Sequence, residues 1–170
     1  MSVSKFIQPF LALSLLATSS FATTINITLP WGGTDGGLGT GLSYTPQYSE
    51  DTKYFNAYVG HSKNGEQRVY FADAYAARSQ NCTYESRIPD STTIIIDNQA
   101  VKMSRWCKKF ADANKYYYEY TPETTRGHNY VVNLLKTSTS PVKIQLNNDT
   151  LYLPVMGFTK IWNSAGGNAI

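Results

Sequence analysis

His61 and His128 are the chain's two imidazoles, and either could serve as the base for a hydroxyl nucleophile. Serines and aspartates are plentiful. No Gly-x-Ser-x-Gly turn occurs, however, and a Ser-His-Asp triad is set by geometry that spacing does not reveal. Glu119 and Glu123 could supply the two carboxylates of a glycosidase, though nothing in their spacing requires it. No His-Glu-x-x-His motif is present, and two cysteines with two distant histidines do not match a structural zinc site. The glycine-rich stretch 31–42 (WGGTDGGLGTGL) lacks the Gly-Lys-Ser/Thr ending of a phosphate loop. Its Gly37-x-Gly39-x-Gly41 spacing misses the dinucleotide fingerprint. The residues therefore assign no catalytic side chain, no metal and no cofactor. A small secreted hydrolase using His61 or His128 is the minor reading.

Cys82 and Cys107 have a better-defined chemistry, because residues 1–22 read as a cleaved signal peptide. Lys5 is its positive end, 10–17 (FLALSLLA) its apolar core, and Ser20-Phe21-Ala22 a small-residue exit with cleavage after Ala22. The apolar run is about half the length a membrane span needs. An uncleaved N-terminal anchor is the alternative. No cysteine follows the apolar core to accept a bacterial-type lipid, and no later segment is apolar enough to span a bilayer. The expectation is export to the periplasm or the extracellular space. There, two cysteines most often form a bridge, the alternative being two free thiols. A bridge closing such a loop would stabilise the fold by about 3 kcal/mol.

The remaining chemistry is that of binding. The formal net charge of +3 falls by one without Lys5, too little to imply nucleic acid. Lys102, Arg105, Lys108, Lys109 and Lys115 are opposed locally only by Asp112. They form either a solvated strand end or a patch facing a sugar phosphate, an acidic glycan or an acidic partner. Residues 115–120 (KYYYEY), if extended, place Tyr116, Tyr118 and Tyr120 on one face with Tyr117 and Glu119 on the other. Such a row suits either a partner surface or a core face whose hydroxyls reach the sheet rim.

These residues need strands to position them. Residues 23–29 (TTINITL) alternate, with Ile25, Ile27 and Leu29 pointing one way. They read as an ordinary first strand, a disordered tail, or a strand that joins a neighbouring subunit's sheet. No helix or strand is expected in 31–42, where six glycines make a leash. Tyr44 and Tyr48 flank Pro46 in a loop. Residues 52–59 (TKYFNAYV) form a strand with Phe55, Ala57 and Val59 on one face, and Asn64-Gly65 turns it into a return strand over 67–77. A short strand is expected over 84–88. A hairpin follows, with arms 92–96 and 100–106 around Asp97-Asn98-Gln99, stapled at its open end by the cysteines. Residues 128–136 (HNYVVNLLK) read as a central strand. Val142, Ile144 and Leu146 alternate, Asn147-Asn148-Asp149 turns, and Leu151, Leu153 and Val155 alternate back. Phe158, Ile161, Trp162 and Ala165 then follow a helical period that Gly166-Gly167 stops. Asn26, Asn81 and Asn148 head Asn-x-Ser/Thr sequons, about what chance gives in so Ser/Thr-rich a chain.

The fold expected is mostly β: a sandwich or open barrel of about 7–9 antiparallel strands, with a short C-terminal helix and one disulfide. The segments are 1–22, a signal peptide; 23–42, a first strand and leash; and 43–170, a single β domain. The function expected is an exported, non-catalytic binding module. Its partner would be another envelope or secreted protein, or a glycan or anionic ligand. Its contact residues would be Tyr116, Tyr118, Tyr120, Lys108, Lys109 and Lys115. The alternative is a subunit of an envelope or surface assembly joined by exchange of the strand bearing Ile25, Ile27 and Leu29.

Overall fold

The structure, a computed structural model, describes residues 24–33, 37–46, 51–75, 82–111 and 113–168, with the backbone alone at 24–27 and 75. The signal-peptide reading, Tyr48, the Asn81 sequon and Asp112 fall outside the described residues. The described residues hold nine strands: β1 (Thr24–Leu29), β2 (Gly39–Thr45), β3 (Lys53–His61), β4 (Gln67–Tyr75), β5 (Asp90–Ile96), β6 (Gln99–Lys109), β7 (Tyr116–Pro122), β8 (Val142–Leu146) and β9 (Asp149–Leu153). Helix α1 (Thr125–Thr137) links β7 to β8, and α2 (Phe158–Ser164) follows β9. The strands form one antiparallel sheet in the order β1-β2-β3-β4-β7-β6-β5-β8-β9, curled into a half-barrel. Of the two architectures expected, the open barrel is the one formed.

Alternation places the core on one face of this sheet. Along β3, Phe55, Ala57 and Val59 are buried while Tyr54 and Asn56 are exposed. Phe55 stacks on Phe71 of β4 at 5.9 Å. Ile94, Ile96, Met103, Leu151 and Leu153 join the same cluster, and α1 adds Val131 and Leu135. Phe158 of α2, fully buried, meets Trp31 edge-on at 4.8 Å. The Trp31 indole donates to the Pro154 carbonyl at 2.8 Å, tying the β1 end of the sheet to the β9 end. The core also encloses an ion pair, Lys53 to Asp73 at 2.9 Å, both side chains nearly inaccessible. Burial pushes the Asp73 carboxyl up while Lys53 pulls it down.

Turn chemistry sets the registers. Asp97 and Asn98 both have positive φ, as a two-residue primed hairpin turn requires. Gln99 therefore already belongs to β6, and Asn147-Asn148 likewise leaves Asp149 in β9. The staple is formed: Cys82 and Cys107 are bonded.

Four expectations are corrected. Residues 128–136 are helical, not a strand. Thr124 caps α1 by accepting from the Gly127 amide, and buried Val131 and Leu135 lie four apart, on one helical face. The mixed apolar pattern suggested a strand, but as a helix the segment turns Val131 and Leu135 together into the core. Secondly, Gly39–Leu42 is not a leash but the start of β2. Gly41 pairs with Asn56, and the Asn56 Oδ1 lies 2.3 Å from where a Cβ would stand, so a side chain there would displace the Asn56 amide. Thirdly, Tyr44 belongs to β2 and is fully buried rather than in a loop. Finally, residues 84–88 form no strand. Ser86 alone pairs with Cys107, its amide donating to the Cys107 carbonyl at 3.0 Å and its Oγ accepting from the Cys107 amide at 2.8 Å.

Candidate functional site

The face of β3, β4, β7 and β6 turned away from the core carries a cleft of about 690 Å³, within the range of small-ligand sites. Its centre is Glu119 on β7, only 8% exposed. Strand pairing sets Trp106 of β6 directly beside it and Ala72 of β4 on the other side. The Tyr58 hydroxyl, reaching across from β3, donates to the Glu119 Oε2. Lys108 Nζ stands 3.9 Å from Oε1, an ion pair too long for a hydrogen bond.

Tyr58 and its cross-strand partner Tyr70 stack at 5.3 Å, 16° from parallel. Gly60 makes this possible. A Cβ there would press on both rings at 3.3–3.4 Å, so the rings lie against bare backbone. Burial, then the hydrogen bond and charge of Glu119, push the Tyr58 phenol far up, so it remains a donor. Burial likewise raises Tyr70, against the pull of Arg68. Tyr117 is raised by burial, with Glu119 and Glu85 adding to it. Arg68 is held in place by both Glu66 and the Pro122 carbonyl, the latter at 3.0 Å.

The binding residues expected from the sequence do not form one surface. Tyr116 and Lys109 are cross-strand partners on one face, shared with Tyr118. Tyr120 lies on that face too, but deep in the core at 2% exposure, which removes it from any partner surface. Lys108 faces the opposite way, into the cleft. Lys115 lies just before β7, where its carbonyl accepts from the Phe110 amide at 3.0 Å. Tyr118 instead lines a smaller recess of about 460 Å³ beside the disulfide. There the Arg105 guanidinium sits 4.5 Å above its ring while binding both Asp90 oxygens, at 2.9 and 2.5 Å. That contact holds the Asp90 carboxyl below the ordinary range.

β1 pairs with β2 of its own chain and forms one edge of the sheet. Leu29 is 39% exposed, while the side chains of Ile25 and Ile27 fall outside the description. His61 contacts the Gly167 carbonyl at 2.8 Å. His128 is on α1 against Trp162, 5.8 Å between ring centres. Glu119 and Glu123 both line the cleft. They stand four positions apart, Glu119 within β7 and Glu123 just beyond its end. Glu123 is moreover bound by Lys102 at 2.8 Å and Ser91 at 2.7 Å. Among the described residues, no group of three or more His, Cys, Asp and Glu could hold a metal ion. Nor is any helix there long and apolar enough to cross a membrane.

Sequence reasoning missed Tyr58, Tyr70 and Trp106 as a group. The available signal was tyrosine at the outward positions of 52–59, since an outward tyrosine on a strand is a ring free to meet a ligand. Comparison with protein-family models, curated proteins and solved structures found no match to this chain.

Proposed function

We propose that this chain is an exported, non-catalytic binding module that takes its ligand in the cleft around Glu119. The observation carrying this reading is a carboxylate almost closed off from solvent on the sheet face opposite the core. A polar group withdrawn from water costs free energy unless its partners are in place; Tyr58 supplies one donor to Oε2, and Lys108 gives Oε1 a charge at 3.9 Å but no hydrogen bond. Fixed aromatic rings and a few oriented polar groups in a concave site are what small-ligand binding requires. The disulfide and the absence of a long apolar helix among the described residues are compatible with export.

The test compares immobilised parent with a Tyr70→Ala/Trp106→Ala variant in capture from the native envelope fraction. The reading expects material that the parent retains and the variant loses, at equal folded content by circular dichroism. Identical retention by both proteins would sink it.

A second reading, assembly through β1, is favoured by one observation: β1 is an edge strand with one unpaired side. Deleting residues 23–29 should then convert an oligomer into a monomer. A parent that sediments as a monomer at high concentration would remove this reading.

A further inference from the structure

We propose that the cleft ligand is a neutral glycan, one of whose pyranose rings lies between Tyr70 and Trp106 over Glu119. This rests on the cleft being the binding site and adds the chemical class of its occupant. Tyr70 and Trp106 stand on β4 and β6, with β7 between them. Ala72 and Trp106 both pair with Glu119, so Tyr70 is offset from Trp106 by two residues along the strands; two strand spacings and that offset put their Cα atoms about 12 Å apart, room for one sugar ring on the diagonal between them. The C–H faces of a pyranose are apolar and its rim is a ring of hydroxyl donors. Aromatic side chains suit the faces. Glu119, an acceptor only, suits the hydroxyls, and its Oε1 has no hydrogen bond from Tyr58.

Charge argues for a neutral ligand. Four cations (Lys63, Arg68, Arg87, Lys108) and three carboxylates (Glu66, Glu119, Glu123) line the cleft, and Arg68 is already engaged by Glu66. A polyanion would meet Glu119 at the centre with little surplus positive charge to offset the repulsion. No Leu, Ile, Val, Met or Phe is among the described residues of the cleft, so its apolar surface is that of aromatic rings and two prolines, the kind that stacks on sugar faces.

The experiment titrates the exported chain with cellohexaose, maltohexaose and chitohexaose, and with trigalacturonate as the anionic control. Binding is followed by amide NMR shifts and tryptophan fluorescence. At least one neutral oligosaccharide should give saturable shifts centred on Glu119, Tyr70 and Trp106, with trigalacturonate giving none. Tyr70→Ala and Trp106→Ala should each weaken that binding about tenfold. Trp106→Ala carries the test if Tyr70→Ala disturbs the fold. Saturation by trigalacturonate alone, or by none of the sugars at millimolar concentration, overturns the proposal. If the cleft-dependent capture described above persists but retains a protein, the glycan inference alone falls. If that capture is absent as well, the binding site falls with it.

Discussion

Tyr58 of β3 reaches over β4 to donate its hydroxyl to Glu119 of β7, joining residues 61 apart in sequence. The two support one another: burial first, and then the carboxylate, keep the phenol protonated, and the phenol gives the carboxylate a donor. Tyr58→Phe would leave Glu119 short of that donor, and the expected loss is about 1–3 kcal/mol in urea unfolding. Adding Glu119→Gln should recover part of it, because a neutral amide is cheaper to bury than a carboxylate. A loss below about 0.5 kcal/mol would mean that solvent already satisfies the site. Alkaline absorbance titration should show Tyr58 and the core residue Tyr120 both resisting ionisation in the parent until the fold itself is lost, and one fewer resistant phenol in Tyr58→Phe.

The tyrosine row of β7 divides between core and surface. Tyr120→Ala removes a fully enclosed ring and should cost about 3–5 kcal/mol. Tyr116→Ala, at the half-buried start of the strand, should cost under about 1 kcal/mol. Replacing the whole row would therefore confound binding with unfolding. Thermal melts of the two single variants check this, and equal losses would contradict the division.

This division shows how far the sequence could be read. Alternation in 52–59 and 142–153 told inside from outside, because each strand there has one face on the core. The Cys82–Cys107 staple was legible from an expectation of export and from the hairpin between its ends. Alternation said nothing of which face of β7 was the core, since both carry tyrosines. It also missed α1, whose mixed apolar pattern resembles a strand until the Thr124 cap and the shared face of Val131 and Leu135 are known. The cleft was out of reach for another reason. Tyr58, Tyr70, Trp106 and Glu119 come from four strands whose order, with β7 inserted beside β4, is a property of topology rather than of local pattern.

Lys53 and Asp73 are the charged pair enclosed by the half-barrel. Lys53→Met should cost about 3–5 kcal/mol, since it takes the countercharge from a carboxyl that burial already pushes toward its neutral form. The double change Lys53→Met/Asp73→Leu should return most of that loss, because apolar pairs of similar volume replace buried ion pairs at little net cost. Chemical unfolding of the three proteins forms the cycle. A double variant no more stable than Lys53→Met would show that the Asp73 charge is not what the single change exposes.

His128 gives the fold a pH dependence whose sign is fixed by burial. Its imidazole packs against Trp162, with Nδ1 buried and unpaired. Burial, then the Arg68 charge, lower its pKa below 6.5, and Glu66 opposes them weakly. The unfolded chain therefore takes up a proton at a higher pH than the folded chain does. Above the unfolded value the group contributes no slope. As pH falls from about 7 through 6.5 toward the lowered folded value, stability is lost progressively. His128→Leu should flatten this part of the profile while leaving stability at pH 8 within about 1 kcal/mol of the parent. Asp90 and Glu123, whose carboxyls are held low, lose their ion-pair contributions only at more acid pH, below the ordinary carboxylate range. Asp73, whose carboxyl burial pushes up, acts alike in both proteins, so it is the difference between the urea midpoints of parent and variant, from about pH 5 to pH 8, that isolates the histidine. Parallel profiles for the two proteins would show that His128 is protonated equally in both states.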